Sequence, residues 1–321
     1  MPARIPLLLG TANFGAAGKT GVRVSDVATA QAIVDKFVEK YTEVDTAKLY
    51  GDGTAEELFG KIDLKGATID TKIDPDQPGG HEPKALRASL DVSLKALLPH
   101  KICVYYLHMP DRRVSYEDTL RQVNTLYKEG KFNALGLSNY PAWEVVEIIN
   151  ICKSNGWVLP TYYQGVYNVI TRGIEPELVA VARKYGLRII TYSPLAGGFL
   201  TGRIKSKDAP VDSLDQFNAA QGWLGATLRT KYLKDSQFEA LAVIKEVADK
   251  HGIPLIEVGY RWLQHHSLLQ PGDGIVFGAS SVEHLETNIA AAEQGPLPDE
   301  VLEAVNIAYK IVGHDAPSYF L

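Results

Sequence analysis

Cysteine is nearly absent from this chain. It has two in 321 residues, Cys103 and Cys152, far apart and in no CxxC pair. That excludes a disulfide framework and a cysteine-built zinc site, and it fits a reducing cytoplasmic setting. Basic residues are not in excess: 33 Lys and Arg face 38 Asp and Glu, for a formal net charge of -5. The electrostatic footprint of a nucleic-acid binder, or of a protein drawn to anionic membranes, is therefore missing. No stretch approaches the roughly 20 consecutive apolar residues of a membrane span. The opening residues Met1–Gly10 carry one charge and too short an apolar run for a secretory leader. A glycine motif is missing as well. Gly10, Gly15, Gly18 and Gly21 do not make the GxGxxG turn that an open dinucleotide-binding sheet carries after its first strand.

What is present is an alternation of short β-prone runs and amphipathic segments. Strands are predicted at Pro6–Gly10, Glu43–Thr46, Ala67–Ile73, Ile102–His108, Phe132–Leu137, Thr161–Val166, Leu187–Tyr192 and Gly274–Gly278. Helices are predicted between them: one from Ser25 or Asp26, a short one capped by Thr54 with Glu57 at the capping-box position, then Lys84–Leu98, Tyr116–Glu129, Trp143–Lys153 and Pro176–Tyr185. The loop Asp74–Pro83 is rich in Pro and Gly. After the seventh strand the rhythm breaks. Pro194–Lys234 shows no clear period and is too long for an ordinary connection, which marks it as a functional loop or lid. Helices Phe238–His251, Leu255–His265, Val282–Glu293 and Asp299–Val312 and the tail Gly313–Leu321 complete the chain. Eight strand-helix units over this length favour a closed (β/α)8 TIM barrel, one domain spanning residues 1–321, with a long loop after strand seven and a C-terminal helix and tail.

Four polar residues stand out at predicted strand ends, where a barrel does its chemistry. Asp45 ends the second strand, Tyr50 lies in the loop after it, Lys72 is near the end of the third and His108 at the end of the fourth. A tyrosine hydroxyl, with a reference pKa of about 10, is a poor acid at neutral pH. A neighbouring ammonium favours phenolate and lowers that value. A buried Lys72 needs a counter-charge, which Asp45 can supply, and a His108 imidazole can orient a substrate oxygen. Together the four suit protonation of a carbonyl oxygen while hydride arrives at carbon from a cofactor. Each has a plainer reading: a turn-capping aspartate, a packed tyrosine, a solvated lysine, a loop histidine. Convergence of all four on one end of the barrel weakens those readings.

The wider pattern resembles the aldo-keto reductase superfamily. Asp45-Thr-Ala-Lys-Leu-Tyr50-Gly51 followed by Thr54-Ala-Glu-Glu-Leu-Phe-Gly60 is similar to its signature loop. Thr71-Lys72, Tyr106-Leu-His108 and Gly136-Leu-Ser-Asn139 stand where that family has its lysine, histidine and Ser-Asn pair. Leu107-His-Met-Pro-Asp111, Cys152-Lys-Ser-Asn-Gly-Trp157, Tyr163-Gln-Gly-Val-Tyr-Asn168, Pro194-Leu-Ala-Gly-Gly198 and Ala291-Ala-Glu-Gln-Gly-Pro-Leu297 sharpen the likeness. They point to one branch, the aflatoxin-aldehyde or succinic-semialdehyde reductases, along nearly the whole chain. The resemblance implies NADPH-dependent reduction of a small-molecule carbonyl substrate. Tyr50 is then the proton donor, Lys72 and Asp45 its tuning pair, and His108 the substrate orienter. It also implies a cofactor site. Asp45, Ser138, Asn139 and Gln164 border the nicotinamide, and Tyr192 stacks on it. Ser193, Pro194, Leu195, Ala196, Gly197, Gly198, Leu200, Gly202 and Arg203 fold over the pyrophosphate. Ser280, Ser281, His284 and Asn288 meet the adenosine phosphate at a helix N-terminus. No metal is implied. Relatives in this branch are often dimers, which makes a homodimer an expectation.

Three departures from the branch bear on substrate and cofactor choice. The branch ends in Tyr-Phe-Arg, whose arginine is associated with an acidic substrate's carboxylate, whereas Leu321 stands here. The branch's Tyr-Arg-x-Arg-Tyr becomes Leu228-Arg229-Thr-Lys231-Tyr232, and a lysine cannot reproduce the bidentate fork of arginine. Pro210–Phe217 lacks the branch's arginine near the cofactor and offers Asp212 and Asp215, which do not favour a 2′-phosphate. With Leu228, Arg229, Lys231, Leu321 and His108 as substrate-side residues, these changes predict a shift from acidic aldehydes toward neutral or aromatic ones. Two other readings stand beside the reductase. One is a cofactor-binding regulatory or redox-sensing subunit resembling potassium-channel β-subunits. The other is a Schiff-base aldolase-type barrel using Lys72.

Overall fold

Aliphatic, β-branched and aromatic residues make up most of the strand runs, as strands covered on both faces require, while Glu43, Asp45, Asp70, Lys72 and Gln164 interrupt them. In a computed structural model, which describes residues 3–73, 75 and 79–321, these runs form β1 (Leu7–Gly10), β2 (Glu43–Asp45), β3 (Thr68–Ile73), β4 (Ile102–Leu107), β5 (Phe132–Ser138), β6 (Pro160–Val166), β7 (Arg188–Tyr192) and β8 (Gly274–Gly278). Each strand pairs in parallel with the next, and β8 pairs with β1, so the sheet closes into a barrel. The helices are α1 (Val27–Phe37), α2 (Thr54–Phe59), α3 (Pro83–Ala96), α4 (Tyr116–Lys128), α5 (Ala142–Asn155), α6 (Leu178–Tyr185), α7 (Gly222–Tyr232), α8 (Asp235–Lys250), α9 (Leu255–His265), α10 (Val282–Ala292) and α11 (Asp299–Val312). Among the described residues no helix is long and apolar enough to cross a membrane.

Local chemistry sets the helix ends. Asp26 caps α1 by accepting from the Thr29 N–H at 2.7 Å, and Ser115 caps α4 through the Asp118 N–H at 3.1 Å. α5 and α6 stop on Gly156 and Gly186 in left-handed conformations. The expected cap at Thr54 is not formed. Thr54 is already helical, and its hydroxyl donates back to the Gly51 carbonyl at 2.6 Å and accepts from the Ala16 N–H at 2.8 Å. Thr54 therefore ties the loop after β1 to the loop after β2. α6 starts at Leu178 instead of Pro176. The segment Pro194–Lys234 is less irregular than its sequence suggests, because it contains the short 3-10 turns Ala196–Thr201 and Ala219–Gln221 and all of α7. Five glycines and small residues blur the helical period there. The loop Asp74–Pro83 lies partly outside the described residues.

Two features of the barrel interior position the chemistry above it. Leu8, Ile190 and Val276 form a small apolar cluster with Tyr162 and Tyr192, separate from the large core between strands and helices. Next to this cluster the Arg188 guanidinium lies 5.7 Å from the Tyr162 ring and forks onto Glu43 at 2.6 and 2.8 Å. At the register shift between Ile69 and Thr71, the Asp70 carboxylate accepts the Val104 N–H at 3.0 Å, standing in for a ladder bond. Gly136 lets β5 lie against the Tyr106 ring, where a Cβ would overlap the ring atoms. Gly136→Ala is expected to destabilise the fold by roughly 1–3 kcal/mol through overpacking, read as a lower urea midpoint with unchanged m-value.

Candidate active site

β2, β3 and β4 deliver Asp45, Lys72 and His108 to the same end of the barrel, and the turn Tyr50–Gly53 brings Tyr50 back over them. That turn requires Gly51. Its φ is +57°, and a Cβ there would sit 2.9 Å from both the Phe14 carbonyl and the Thr54 hydroxyl. The Lys72 ammonium is fully buried and donates to Asp45 Oδ2 at 2.7 Å, to the Thr46 carbonyl at 2.8 Å and to the Tyr50 hydroxyl at 3.5 Å. It also lies 5.0 Å from the Tyr50 ring centroid. Gln164 donates to the other Asp45 oxygen at 2.8 Å. The His108 ring stands edge-on to Tyr50, 6.1 Å between centroids, and its Nδ1 is buried without a partner among the described residues.

Electrostatics follow from burial. Removal from water raises the Tyr50 pKa, against the lowering pull of the Lys72 charge, and the balance stays upward. The expectation of a lowered tyrosine is thus overturned: desolvation outweighs the ammonium, and the hydroxyl keeps its proton. Burial pulls Lys72 down, but Asp45 and Tyr50 raise it by more, so it is held as an ammonium. Burial, with the Lys72 charge, depresses His108 to about 3. The imidazole is therefore neutral at physiological pH. The unfolded chain takes up this proton near 6.5 and the folded one only near 3, so the stability His108 contributes is lost as pH falls through that window.

Beside this cluster lies a cavity of about 480 Å³. Asp45 and Tyr50 border it together with Tyr192, the loop Ser193–Leu195, Gly197, Gly198 and Arg203 on one side and Ser280, His284 and Asn288 on another. Gly197 and Gly198 have φ of +66° and +96°, and the non-glycine Ser193 and Ala196 are also left-handed, at +56° and +50°. A Cβ on Gly198 would come 2.7 Å from the Arg203 guanidinium, so glycine is what lets Arg203 lie along this loop. Arg203 pairs with Asp215. The acid expected to repel a phosphate is thus neutralised, and Asp212 is engaged in a turn, accepting the Leu214 N–H at 2.8 Å. At the start of α10, Ser281 is the N-cap and Ser280 bonds His284 Nδ1 at 2.9 Å.

Other anticipated residues lie off the cavity wall. Ser138, Asn139 and Gln164 are linked to its rim: Asn139 donates to the His108 carbonyl at 2.9 Å and to Ser138 at 3.0 Å, and accepts from the Tyr192 hydroxyl at 2.7 Å. Within the loop Ala196 and Leu200 are buried, and Gly202 ends its turn. Leu228 packs over Gly197. Arg229 turns away, donating to the carbonyls of Lys207 at 2.8 Å and Phe217 at 3.5 Å. Lys231 is half-buried, its pKa lowered by burial. The Leu321 N–H docks on the Asn139 carbonyl at 3.1 Å. The sequence reading missed Asn13, Arg23, Gln216 and Thr287, all on the wall. Arg23 had one signal, the alternation Val22-Arg-Val24, and Val24 does bridge to Phe14.

A model of the Aldo/keto reductase family matches residues 6–310. The chain belongs to this family. Within it, the human protein named aldo-keto reductase family 7 member A3 is 41% identical over 99% of this chain and 98% of its own length. The mouse protein named aflatoxin B1 aldehyde reductase member 2 is 40% identical over 99% of this chain and 88% of its own. A fungal aldo-keto reductase, pigE of Monascus ruber, is 40% identical over 95% and 94%. This aldo/keto reductase is therefore an oxidoreductase of a family acting on small carbonyl compounds, and the buried Asp45–Lys72 pair beside Tyr50 lies at the barrel end where such chemistry is done.

Proposed function

We propose that this aldo/keto reductase reduces aldehydes to alcohols with NADPH, Tyr50 giving the proton to the carbonyl oxygen. The observation that carries this reading is the Lys72 ammonium held between Asp45 and the Tyr50 hydroxyl at one end of the cavity. The nicotinamide cofactor, when bound, supplies the hydride. The residues fit such a group. Gly197 and Gly198 offer close backbone approach for a diphosphate, with the Asp215-paired Arg203 guanidinium as a hydrogen-bond donor beside them, Ser280, His284 and Asn288 surround the start of α10 for a further phosphate, and Tyr192 offers a ring face. Tyr50 holds its proton until negative charge develops on the substrate oxygen. Lys72 then stabilises the phenolate left behind, and Asp45 keeps Lys72 in place and charged. Neutral His108 orients the oxygen without competing for the proton. A Schiff-base role for Lys72 is disfavoured, since an amine held as ammonium is not a nucleophile.

The test is oxidation of NADPH by a panel of aldehydes, with NADPH and NADH titrated separately. Binding without turnover across the panel sinks the proposal in favour of a cofactor-sensing role. Because His108 stays neutral down to about pH 3, kcat/KM is expected to show no histidine inflection between about pH 5 and 8. A bell with a limb near pH 6.5 that disappears in His108→Gln contradicts the assignment.

Preference for neutral or aromatic over acidic aldehydes belongs to the same proposal. Arg229 is occupied by two carbonyls, Leu321 has no charge on its side chain, and Lys231 offers one ammonium in place of a fork. Losing a charge-assisted hydrogen bond costs on the order of 1.5–3 kcal/mol of binding. The comparison is kcat/KM for succinic semialdehyde against a neutral aldehyde of similar length, and a strong preference for the acid overturns this part.

A further inference from the structure

Glu56, in the first turn of α2, is a carboxylate taken wholly out of water. Such a group persists only when its oxygens are well partnered. Oε1 accepts the Thr71 hydroxyl at 2.6 Å, and Oε2 accepts the hydroxyl of Ser93 in α3 at 3.0 Å. The Lys48 ammonium, its side chain 16% exposed, stands 3.9 Å from the same Oε2. Burial raises the Glu56 pKa, and the two hydroxyls and the Lys48 and Lys72 charges pull against it. Glu56 is not on the cavity wall and touches no reacting atom. Its partners are instead chain neighbours of the groups assigned to the chemistry. Thr71 precedes Lys72 in β3, and successive side chains of a strand point to opposite faces. Lys72 accordingly meets Asp45 on one face, and Thr71 meets Glu56 on the other. Lys48 comes shortly before Tyr50, and its N–H donates to the Lys72 carbonyl at 3.1 Å. The segment that carries Tyr50 is thus stapled to β3 twice. One staple runs main chain to main chain at Lys72, and the other from the Lys48 side chain through Glu56 to Thr71.

We propose that Glu56 is a positioning residue that locks the Lys48–Tyr50 segment to β3 through Thr71 and so sets the reach from the Tyr50 hydroxyl to the Lys72 ammonium. The proposal rests on the reductase reading above. That reach is the long contact of the site, 3.5 Å against 2.7 and 2.8 Å for the other two Lys72 bonds. A hydrogen bond of this length is at its outer limit, so a small displacement of the Tyr50 segment breaks it. Supporting contacts behind reacting groups hold them to such tolerances. The bond from Glu56 to Ser93 runs to α3 and touches neither the Tyr50 segment nor β3, which makes it the control.

The experiment compares wild type with Glu56→Gln, Lys48→Met, Thr71→Val and Ser93→Ala. Glu56→Gln keeps the shape and loses the charge that holds Lys48, Lys48→Met removes the ammonium, Thr71→Val cuts the link to the strand, and Ser93→Ala cuts only the bond to α3. Readouts are kcat for propanal, the NADPH Kd, the urea midpoint and the NMR resonance of isotope-labelled Tyr50 Cζ, identified by its absence in Tyr50→Phe. The first three variants are expected to lower kcat about tenfold, short of the roughly 10²-fold that a misplacement of about 1 Å costs, with the NADPH Kd within about twofold of wild type. The Tyr50 resonance moves in these three. Thr71→Ser, which keeps the hydroxyl, restores most of the rate. Ser93→Ala lowers the urea midpoint as Thr71→Val does, yet keeps kcat within about twofold and leaves the resonance in place. Equal loss of kcat in Ser93→Ala and Thr71→Val reduces Glu56 to a packing role and overturns the proposal, as does an unchanged kcat in the three linked variants. If Glu56→Gln does not fold, Lys48→Met and Thr71→Val decide the matter. A wild-type chain that reduces no aldehyde instead sinks the reductase reading, and the Tyr50 resonance in the variants still decides whether Glu56 positions Tyr50.

Discussion

Tyr50→Phe is expected to fold, to bind NADPH as wild type does, and to lose about 10³-fold in kcat, within the range that removal of a positioned general acid costs. Among the described residues the hydroxyl has one hydrogen-bond partner, Lys72 at 3.5 Å, so its removal leaves the Asp45–Lys72 pair closed. Its own pKa is raised by burial, which keeps it a donor throughout the neutral range. Wild-type kcat should therefore stay level across neutral pH and fall only on the alkaline side, above the ordinary tyrosine value of about 10. Single-turnover rates and a cofactor fluorescence titration separate chemistry from binding. Retention of more than about a tenth of wild-type kcat, beyond the reach of a missing general acid, moves the proton source away from Tyr50 and makes His108 the first alternative.

The second large effect is on stability as well as rate. Lys72→Met leaves the buried Asp45 carboxylate, among the described residues, with the Gln164 hydrogen bond alone, and stranding one member of a buried ion pair costs about 3–5 kcal/mol. Asp45→Asn strands Lys72, which keeps the Thr46 carbonyl, and belongs in the same range. The double variant Asp45→Asn/Lys72→Met removes both charges and should recover most of the stability but none of the turnover. Because the folded Lys72 pKa is raised, its contribution is fully present at neutral pH and is lost only as pH rises through that raised value. Urea unfolding of the four proteins, alongside their kcat, checks both halves. A double variant that regains activity would show that the pair holds the barrel together without tuning Tyr50.

The barrel was legible because hydrophobic period and strand spacing are local properties. Each of the eight strands lies where its apolar run lies, and the cap at Asp26 is a side chain reaching three residues along the chain; before α10 the sequence offered Ser280 as the plain cap, and the structure uses Ser281. Helix α7 was not legible. Its buried residues Gly225, Leu228 and Tyr232 include a glycine and follow a glycine-rich stretch, so the pattern that marks a helix is diluted. Thr54 misled for a related reason: a threonine before an acidic turn reads as a cap, but its hydroxyl is taken by Gly51 and Ala16, one of them 38 residues away.

Residue identity and spacing by themselves determined that Asp45, Tyr50, Lys72 and His108 reach one end of one barrel, because a strand's end is set by where its apolar run stops. They also determined the membership of the aldo/keto reductase family, whose match runs through residues 6–310. Only the tertiary structure decided the balance of forces among those groups. Whether Tyr50 is raised or lowered depends on how much water the fold removes against how near it brings Lys72, and burial prevails. Only the fold shows that Asp215 is paired with Arg203, that Arg229 points away from the cavity, and that the tail closes on Asn139. Those contacts join residues distant in the chain, and a desolvation energy or an ion pair between them has no signature in either segment alone.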